Sequence, residues 1–190
     1  MNGKLPERRS YLASGIYQEY LYVFGGQDLK EGAYNNLWRL NIKAVLDGGT
    51  SNWEQITTTG NEPKPTSHLQ GFVSDKRFYF YGGLQGVDSN SEMYTIDLEE
   101  LEWQTVEVEN PEKRPKGRDD YAGCFEPEGG DFFLFGGYAD GTKSNDLWKF
   151  NVANKEWECL EEGTSSESRP TPRIGASLTF LSNKLYVFGG

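Results

Sequence analysis

A glycine pair recurs four times along the chain, and each pair directly follows a run of aromatic and aliphatic residues. The first copy reads Leu21-Tyr22-Val23-Phe24-Gly25-Gly26, and the later pairs begin at Gly82, Gly136 and Gly189. Successive pairs are therefore 57, 54 and 53 residues apart. A repeat of this length predicts an array of similar structural units, each packed on its neighbours.

Two further markers keep the same period. An aromatic residue follows the second glycine after 11 or 12 positions, and a lone tryptophan comes after it with an apolar residue three positions later. In the first repeat this tryptophan is displaced, which predicts an insertion between Leu40 and Trp53. The aromatic residues of the first marker are Trp38, Tyr94 and Trp148, and the lone tryptophans are Trp53, Trp103 and Trp157.

Each period predicts four short strands. A stretch of small residues, such as Leu12-Ala13-Ser14-Gly15-Ile16, forms the first strand, and the apolar run ending in the glycine pair forms the second. The aromatic marker lies on the third strand and the lone tryptophan on the fourth. A four-stranded unit of about fifty residues is a propeller blade.

The repeated pattern Arg-x-x-small-small, Leu-Tyr-Val-Phe-Gly-Gly, Asn-Asp-Leu-Trp and Trp-x-x-Leu resembles the kelch repeat from about Arg9 to Gly190. The resemblance implies an all-β, kelch-type β-propeller with blades of four antiparallel strands, of which about three and a half are present. The expected divisions are a lead-in over 1–8, repeats over 9–63, 64–115 and 116–168, and an incomplete fourth repeat over 169–190.

The fourth repeat has only its first two strands, and three and a half blades leave strand edges unpaired. We therefore expect the chain to be the N-terminal part of a longer propeller of six or seven blades. Closure between two copies is the alternative.

The motif residues themselves are expected to be structural. Glycine at the end of the second strand permits a positive φ and close packing of the next blade, whereas no phosphate-loop spacing accompanies these pairs. The lone tryptophans of the fourth strands are expected to be wedges between blades. The assigned residues are Gly25, Gly26, Gly82, Gly83, Gly136, Gly137, Gly189, Gly190, Trp38, Trp53, Trp103, Trp148 and Trp157.

An arginine opens three of the repeats, at Arg9, Arg118 and Arg173, and Thr66 takes its place in the second. These arginines are candidates for partner binding. In proteins of the family that the chain resembles, however, such an arginine is more often structural, at the start of the inner strand.

The positions two residues after this arginine are the candidate binding residues. The kelch resemblance implies that the inner strands begin near a central channel, whose mouth commonly holds the ligand. The positions are Tyr11, His68, Asp120 or Tyr121, and Gly175. Aromatic rings, an imidazole and a carboxylate there suit a peptide with aromatic or basic side chains. The alternative is that they are ordinary exposed loop residues.

Composition restricts the partner. The net charge of −10 disfavours a nucleic-acid or anionic membrane surface, because such binding needs clustered basic residues. No apolar segment is long enough to insert into a membrane, and the N-terminus has no signal-peptide pattern. Two cysteines are too few for a disulfide framework, which favours a reducing, cytoplasmic location.

Catalytic chemistry has little support. The single histidine, His68, cannot assemble a histidine-rich metal site, and no nucleophile elbow surrounds it. We expect no catalytic residues, no metal and no cofactor. The resemblance instead implies a protein-interaction scaffold of the ubiquitin-ligase substrate-receptor, cytoskeletal or small-GTPase-effector type, with a protein partner and further repeats in the native chain. The alternative is part of a kelch-type enzyme, such as a sugar isomerase, with its catalytic residues in repeats not seen here.

Overall fold

The computed structural model describes residues 4–163 and 168–190. It contains three antiparallel sheets of similar plan and one hairpin, which follow one another along the chain. We call them blades 1 to 4, and together they form part of a β-propeller, as the repeat pattern predicts. Residues 1–3 of the expected lead-in and residues 164–167 of the expected third repeat lie outside the described residues.

Blade 1 has four antiparallel strands, with a short two-stranded ribbon inserted between the second and the third. In chain order these six strands are β1 (Ala13–Tyr17), β2 (Tyr20–Phe24), β3 (Gln27–Asp28), β4 (Gly32–Ala33), β5 (Leu37–Asn41) and β6 (Trp53–Ile56). The sheet order is β1-β2-β5-β6, and β3 pairs with β4 in the ribbon.

The expected insertion in the first repeat contains a short helix, α1 (Ile42–Leu46). The Asn41 side chain caps it by accepting a hydrogen bond from the Ala44 N–H at 2.9 Å. The extra residues therefore bulge from the turn between β5 and β6, which leaves the register of the sheet unchanged.

Blade 2 repeats this plan and gains a strand at its outer edge from the connection with blade 1. Its strands are β7 (Thr59–Gly60), β8 (Gln70–Ser74), β9 (Arg77–Tyr81), β10 (Leu84–Gln85), β11 (Asp88–Ser89), β12 (Met93–Asp97) and β13 (Glu102–Thr105). The order is β7-β13-β12-β9-β8, with β7 parallel to β13. Strands β10 and β11 form the ribbon of this blade.

Blade 3 has longer second and third strands, which continue into the region that the ribbons occupy in blades 1 and 2. Its strands are β14 (Arg118–Asp119), β15 (Ala122–Glu126), β16 (Asp131–Ala139), β17 (Thr142–Asn151) and β18 (Glu156–Glu161). A 3-10 helix (Pro111–Lys113) precedes it, and the hairpin of β19 (Ser177–Leu181) and β20 (Lys184–Phe188) forms blade 4.

The hydrophobic core lies between the blades, because neighbouring sheets pack face to face. Trp103 on β13 contacts Phe24 of blade 1, with ring centroids 4.8 Å apart. Trp157 on β18 contacts Tyr81 of blade 2 in the same way, at 4.9 Å. Both tryptophans are buried wedges. Trp53, at the equivalent position of blade 1, is half-buried, since no blade among the described residues packs on that face.

The glycine pairs lie where adjacent blades approach most closely. All eight glycines have positive φ, as expected for the end of the second strand. The N–H of Gly83 donates to the carbonyl of Arg118 in the next blade at 2.9 Å. A Cβ on the preceding Gly82 would lie 2.5 Å from that same oxygen. Any side chain there would push the blades apart.

The energetic cost of this collision can be measured separately from the cost of the left-handed backbone. Gly82 and Gly86 have similar φ values of 64° and 70°, but nothing lies within 4 Å of a Cβ built on Gly86. We expect Gly86→Ala to lower the free energy of unfolding by about 1 kcal/mol through the left-handed backbone alone. Gly82→Ala should cost about 1–3 kcal/mol more, as overpacking does. Urea unfolding of both variants measures the difference, and equal losses would contradict this account of the pair.

Candidate functional site

The first strands of the blades surround the propeller axis. Strands β1, β8, β15 and β19 contact one another in succession. Two residues before each of these strands, the backbone adopts the left-handed conformation. The four residues are Tyr11 (φ 56°), His68 (φ 56°), Asp120 (φ 53°) and Gly175 (φ 65°).

A continuous series of backbone hydrogen bonds links these four residues from blade to blade. The N–H of His68 donates to the Tyr11 carbonyl at 2.9 Å, and that of Asp120 donates to the His68 carbonyl at 3.1 Å. The N–H of Gly175 donates to the Asp120 carbonyl at 2.9 Å. The four residues form an arc around the axis, and we call this arc the channel mouth. Three of the four are not glycine, and contacts between blades hold them in this uncommon conformation.

Two aromatic rings of the channel mouth stack on each other. The centroids of the Tyr11 and His68 rings are 3.8 Å apart, with 17° between their planes. Tyr11 is 54% exposed, and His68 is partly buried. The structure thus brings together two residues that the sequence separates by 56 other positions.

Asp120 lies next along the arc and is partly buried. Its carboxylate has no hydrogen bond or ion pair within residues 4–163 and 168–190. Burial raises the pKa of Asp120; the neighbouring His68 acts to lower it, and Asp119 acts to raise it. The net shift is upward.

His68 also contacts Ser67, whose Oγ lies 2.9 Å from Nδ1 of the imidazole. This is not the geometry of an activated serine. Ser67 is only 1% exposed, and its hydroxyl donates to Oε1 of Gln27 at 3.1 Å. The hydroxyl is therefore out of a substrate's reach. The Ser67–His68 pair orients the ring and does not form a nucleophile with its base.

Tyr121, the other candidate in the third repeat, is not on the surface. It is 2% exposed, and its hydroxyl donates to the Tyr81 carbonyl at 2.7 Å. The same oxygen accepts a hydrogen bond from the N–H of Gln70 at 3.1 Å. Tyr121 thus joins blades 2 and 3, so Asp120 is the residue of this repeat that a partner can reach.

The three repeat-opening arginines point into their blades. Each donates from Nη1 to the carbonyl of the first glycine of its own pair, at 2.8–3.0 Å. Each Nε also donates to the carbonyl two residues earlier in the chain. The shared pattern indicates a structural role, in which the guanidinium closes the end of the second strand. The arginines are Arg9, Arg118 and Arg173.

Arg118 makes the strongest of these contacts. Its guanidinium forms two hydrogen bonds with the carboxylate of Asp146, at 2.6 and 2.9 Å. Ser144 and Trp148 also donate to this carboxylate. Burial alone would raise the pKa of Asp146, but the hydrogen bonds and charge of Arg118 lower it below its usual value.

The ribbons of blades 1 and 2 lie on the same face as the channel mouth, since Ser10 pairs with Gln27 and Ser67 pairs with Leu84. Each ribbon carries an apolar side chain at its turn. Leu29 is 97% exposed and Val87 is 92% exposed. Neither residue was among the predicted site residues, although an apolar residue within a polar loop is visible in the sequence.

The described part of the chain holds no group of three His, Cys, Asp or Glu side chains arranged to bind a metal ion. Nor does any helix in that part have the length and apolar character needed to cross a membrane.

Comparison with known proteins places these features in a wider group. Residues 1–190 match the family model described as the KLHDC2/KLHL20/DRC7 Kelch-repeats domain. The chain is 29% identical over 212 residues to Kelch domain-containing protein 1 of Mus musculus, covering 100% of this chain and 51% of that protein. It is 24% identical over 199 residues to Kelch domain-containing protein 3 of Rattus norvegicus, covering 100% of this chain and 50% of that protein.

A third relative is the Leucine-zipper-like transcriptional regulator 1 homolog of Drosophila melanogaster, 22% identical over 193 residues. The match covers 100% of this chain and 19% of that protein. The chain therefore spans about half, or less, of the length of these three relatives.

The Arg118–Asp146 pair predicts a pH-dependent contribution to stability. Because the folded-state pKa of Asp146 is lowered, its contribution is complete above the unfolded-state pKa of about 3.9 and is lost as the pH falls through the folded value. We expect Asp146→Asn to cost about 3 kcal/mol at pH 7, since it leaves a buried guanidinium without its counter-charge. The difference from the wild type should shrink below about pH 4.

Urea unfolding from pH 7 to pH 3 measures this change. Asp140→Asn is the matched control, because the ion pair of Asp140 with Lys116 is exposed and should contribute at most about 1 kcal/mol. A cost for Asp146→Asn that does not change with pH would show that the charge of Asp146 is not what stabilises the blade.

Proposed function

The chain belongs to the kelch-repeat family, and from that premise we propose that it is a non-catalytic scaffold that binds a protein partner through the channel mouth. The exposed ribbons of blades 1 and 2 would extend the contact. The supporting observation is the Tyr11–His68 stack, in which Tyr11 is exposed, followed along the arc by Asp120, whose carboxylate has no hydrogen bond or ion pair among the described residues.

These side chains differ from the other repeated features in changing from repeat to repeat. The glycine pairs, the buried tryptophans and the arginines all make contacts within or between blades. At the channel mouth, backbone hydrogen bonds hold the position, and the residue there is Tyr, His, Asp or Gly. Rigid aromatic side chains on such a frame bind a partner at a low cost in conformational entropy.

Leu29 and Val87 support a protein partner. Two apolar side chains exposed almost completely at ribbon turns add contact area beside the channel mouth. The ubiquitin-ligase substrate receptors, cytoskeletal binders and small-GTPase effectors suggested by the kelch resemblance remain the partner classes to be tested. We propose a cytoplasmic partner, without nucleic acid or membrane insertion.

The experiment compares two double variants of the full chain. Tyr11→Ala with Asp120→Asn changes the channel mouth, whereas Gln18→Ala with Asp75→Asn changes turns at the opposite end of the blades. The backbones are matched, because Gln18 and Asp75 both have a φ of 52°. We expect the channel-mouth variant to lose partners by about fivefold or more, as for a binding hot spot, and the control to retain them.

Affinity capture from cytoplasmic extract with quantitative mass spectrometry measures the loss and identifies the partner class. Urea unfolding of each variant first verifies that both remain folded. Equal recovery by the wild type and the channel-mouth variant would overturn the proposal.

A further inference from the structure

The hydrogen bonds around Ser67 fit one tautomer of His68. Ser67 Oγ lies 3.1 Å from Oε1 of Gln27 and 2.9 Å from Nδ1 of His68. With the single hydroxyl proton on the Gln27 side, the contact with His68 takes a proton on Nδ1. In the neutral ring, Nε2 is then a hydrogen-bond acceptor. No described residue donates to Nε2.

Asp120 adds a second acceptor beside this ring. Its backbone N–H is bonded to the His68 carbonyl, and its other neighbour along the arc is Gly175, which has no side chain to cover it. Asp119 contributes further negative charge, although its own carboxylate already accepts a hydrogen bond from Ser89 at 2.5 Å. Because Asp120 is partly buried, solvent screens its charge less than it would at an open surface.

Tyr11 supplies an aromatic face. The two rings are nearly parallel, so each uses one face for the stack. Since Tyr11 is 54% exposed, its ring remains open to a ligand. Aromatic faces attract cations, and the planar guanidinium stacks on them more readily than an ammonium group does.

The geometry points to a more specific ligand, an inference that rests on the proposed function. We infer that the channel mouth binds an arginine side chain of the partner, with its guanidinium against the Tyr11–His68 pair and its N–H groups donating to Asp120 and to Nε2 of His68. The ring face, the ring nitrogen and the carboxylate all favour a planar, positively charged donor.

The single histidine of the chain makes a direct experiment possible. In the uniformly ¹⁵N-labelled protein, a long-range ¹H–¹⁵N correlation spectrum shows one imidazole, which needs no assignment by mutation. The spectrum is recorded at pH 8, and we expect it to be that of the Nδ1–H tautomer. A spectrum of the Nε2–H tautomer would overturn the inference.

The same spectrum then follows a titration with Nα-acetyl-arginine amide. Nα-acetyl-citrulline amide is the control ligand, because it has the same shape without the charge. We expect the arginine compound to shift the His68 signals and to bind about five times more tightly or better. Equal shifts with both compounds, or no shift with either, would overturn the inference.

Asp120→Asn should weaken binding of the arginine compound by about five- to tenfold, while Asp75→Asn at the opposite end should leave it unchanged. Equal binding by both variants would remove Asp120 from the site.

If the capture experiment shows loss of partners but arginine and citrulline bind alike, only the ligand inference fails. If the arginine compound binds while capture is unaffected by the channel-mouth variant, the proposed function fails.

Discussion

A hydrogen bond between neighbouring blades, donated by the second glycine of each of the first three pairs, underlies the whole architecture. Gly26, Gly83 and Gly137 donate to the carbonyls of Thr66, Arg118 and Arg173, at 2.9–3.0 Å. These bonds require the blades to approach so closely that a Cβ on the first glycine of these three pairs would lie within 2.8 Å of the same carbonyl oxygen. Only glycine allows both the spacing and the positive φ. The hydrophobic side chains between neighbouring blades pack at this separation. They include the buried wedges Trp103 and Trp157.

The same contact also positions the channel mouth. Each accepting residue lies two positions before His68, Asp120 or Gly175, so anchoring it to the previous blade sets where the left-handed residue begins. The backbone bonds along the arc then extend this arrangement around the axis. The glycine contact thus sets the backbone of the arc, whereas the side chains at these positions differ from blade to blade. Because backbone contacts hold the arc, similar blades can present Tyr, His, Asp and Gly at the equivalent position.

Repeat spacing alone was enough to predict the partial propeller, its four-stranded blades and the conformation of the glycine pairs, because these features recur at each period. Trp103 and Trp157 are buried between blades as predicted, whereas Trp53 is only half-buried. The burial of such a tryptophan depends on a neighbouring blade and not on its own repeat. Tyr121 shows the same limit at the candidate site: adjacent residues of a left-handed turn point in different directions, so Asp120 reaches the surface and Tyr121 the interior. Spacing from the arginine could not separate the two.

The blade could be predicted from the sequence, because strand-forming runs and glycine pairs are local properties of each repeat. The residue types at the channel mouth could be predicted in the same way. How these residues meet became visible only in the folded chain, in the stacking of Tyr11 on His68 and the Gln27–Ser67–His68 hydrogen bonds. These contacts join different blades. Their geometry depends on the angle and distance between packed sheets, which the stretch of sequence around any one of these residues does not encode.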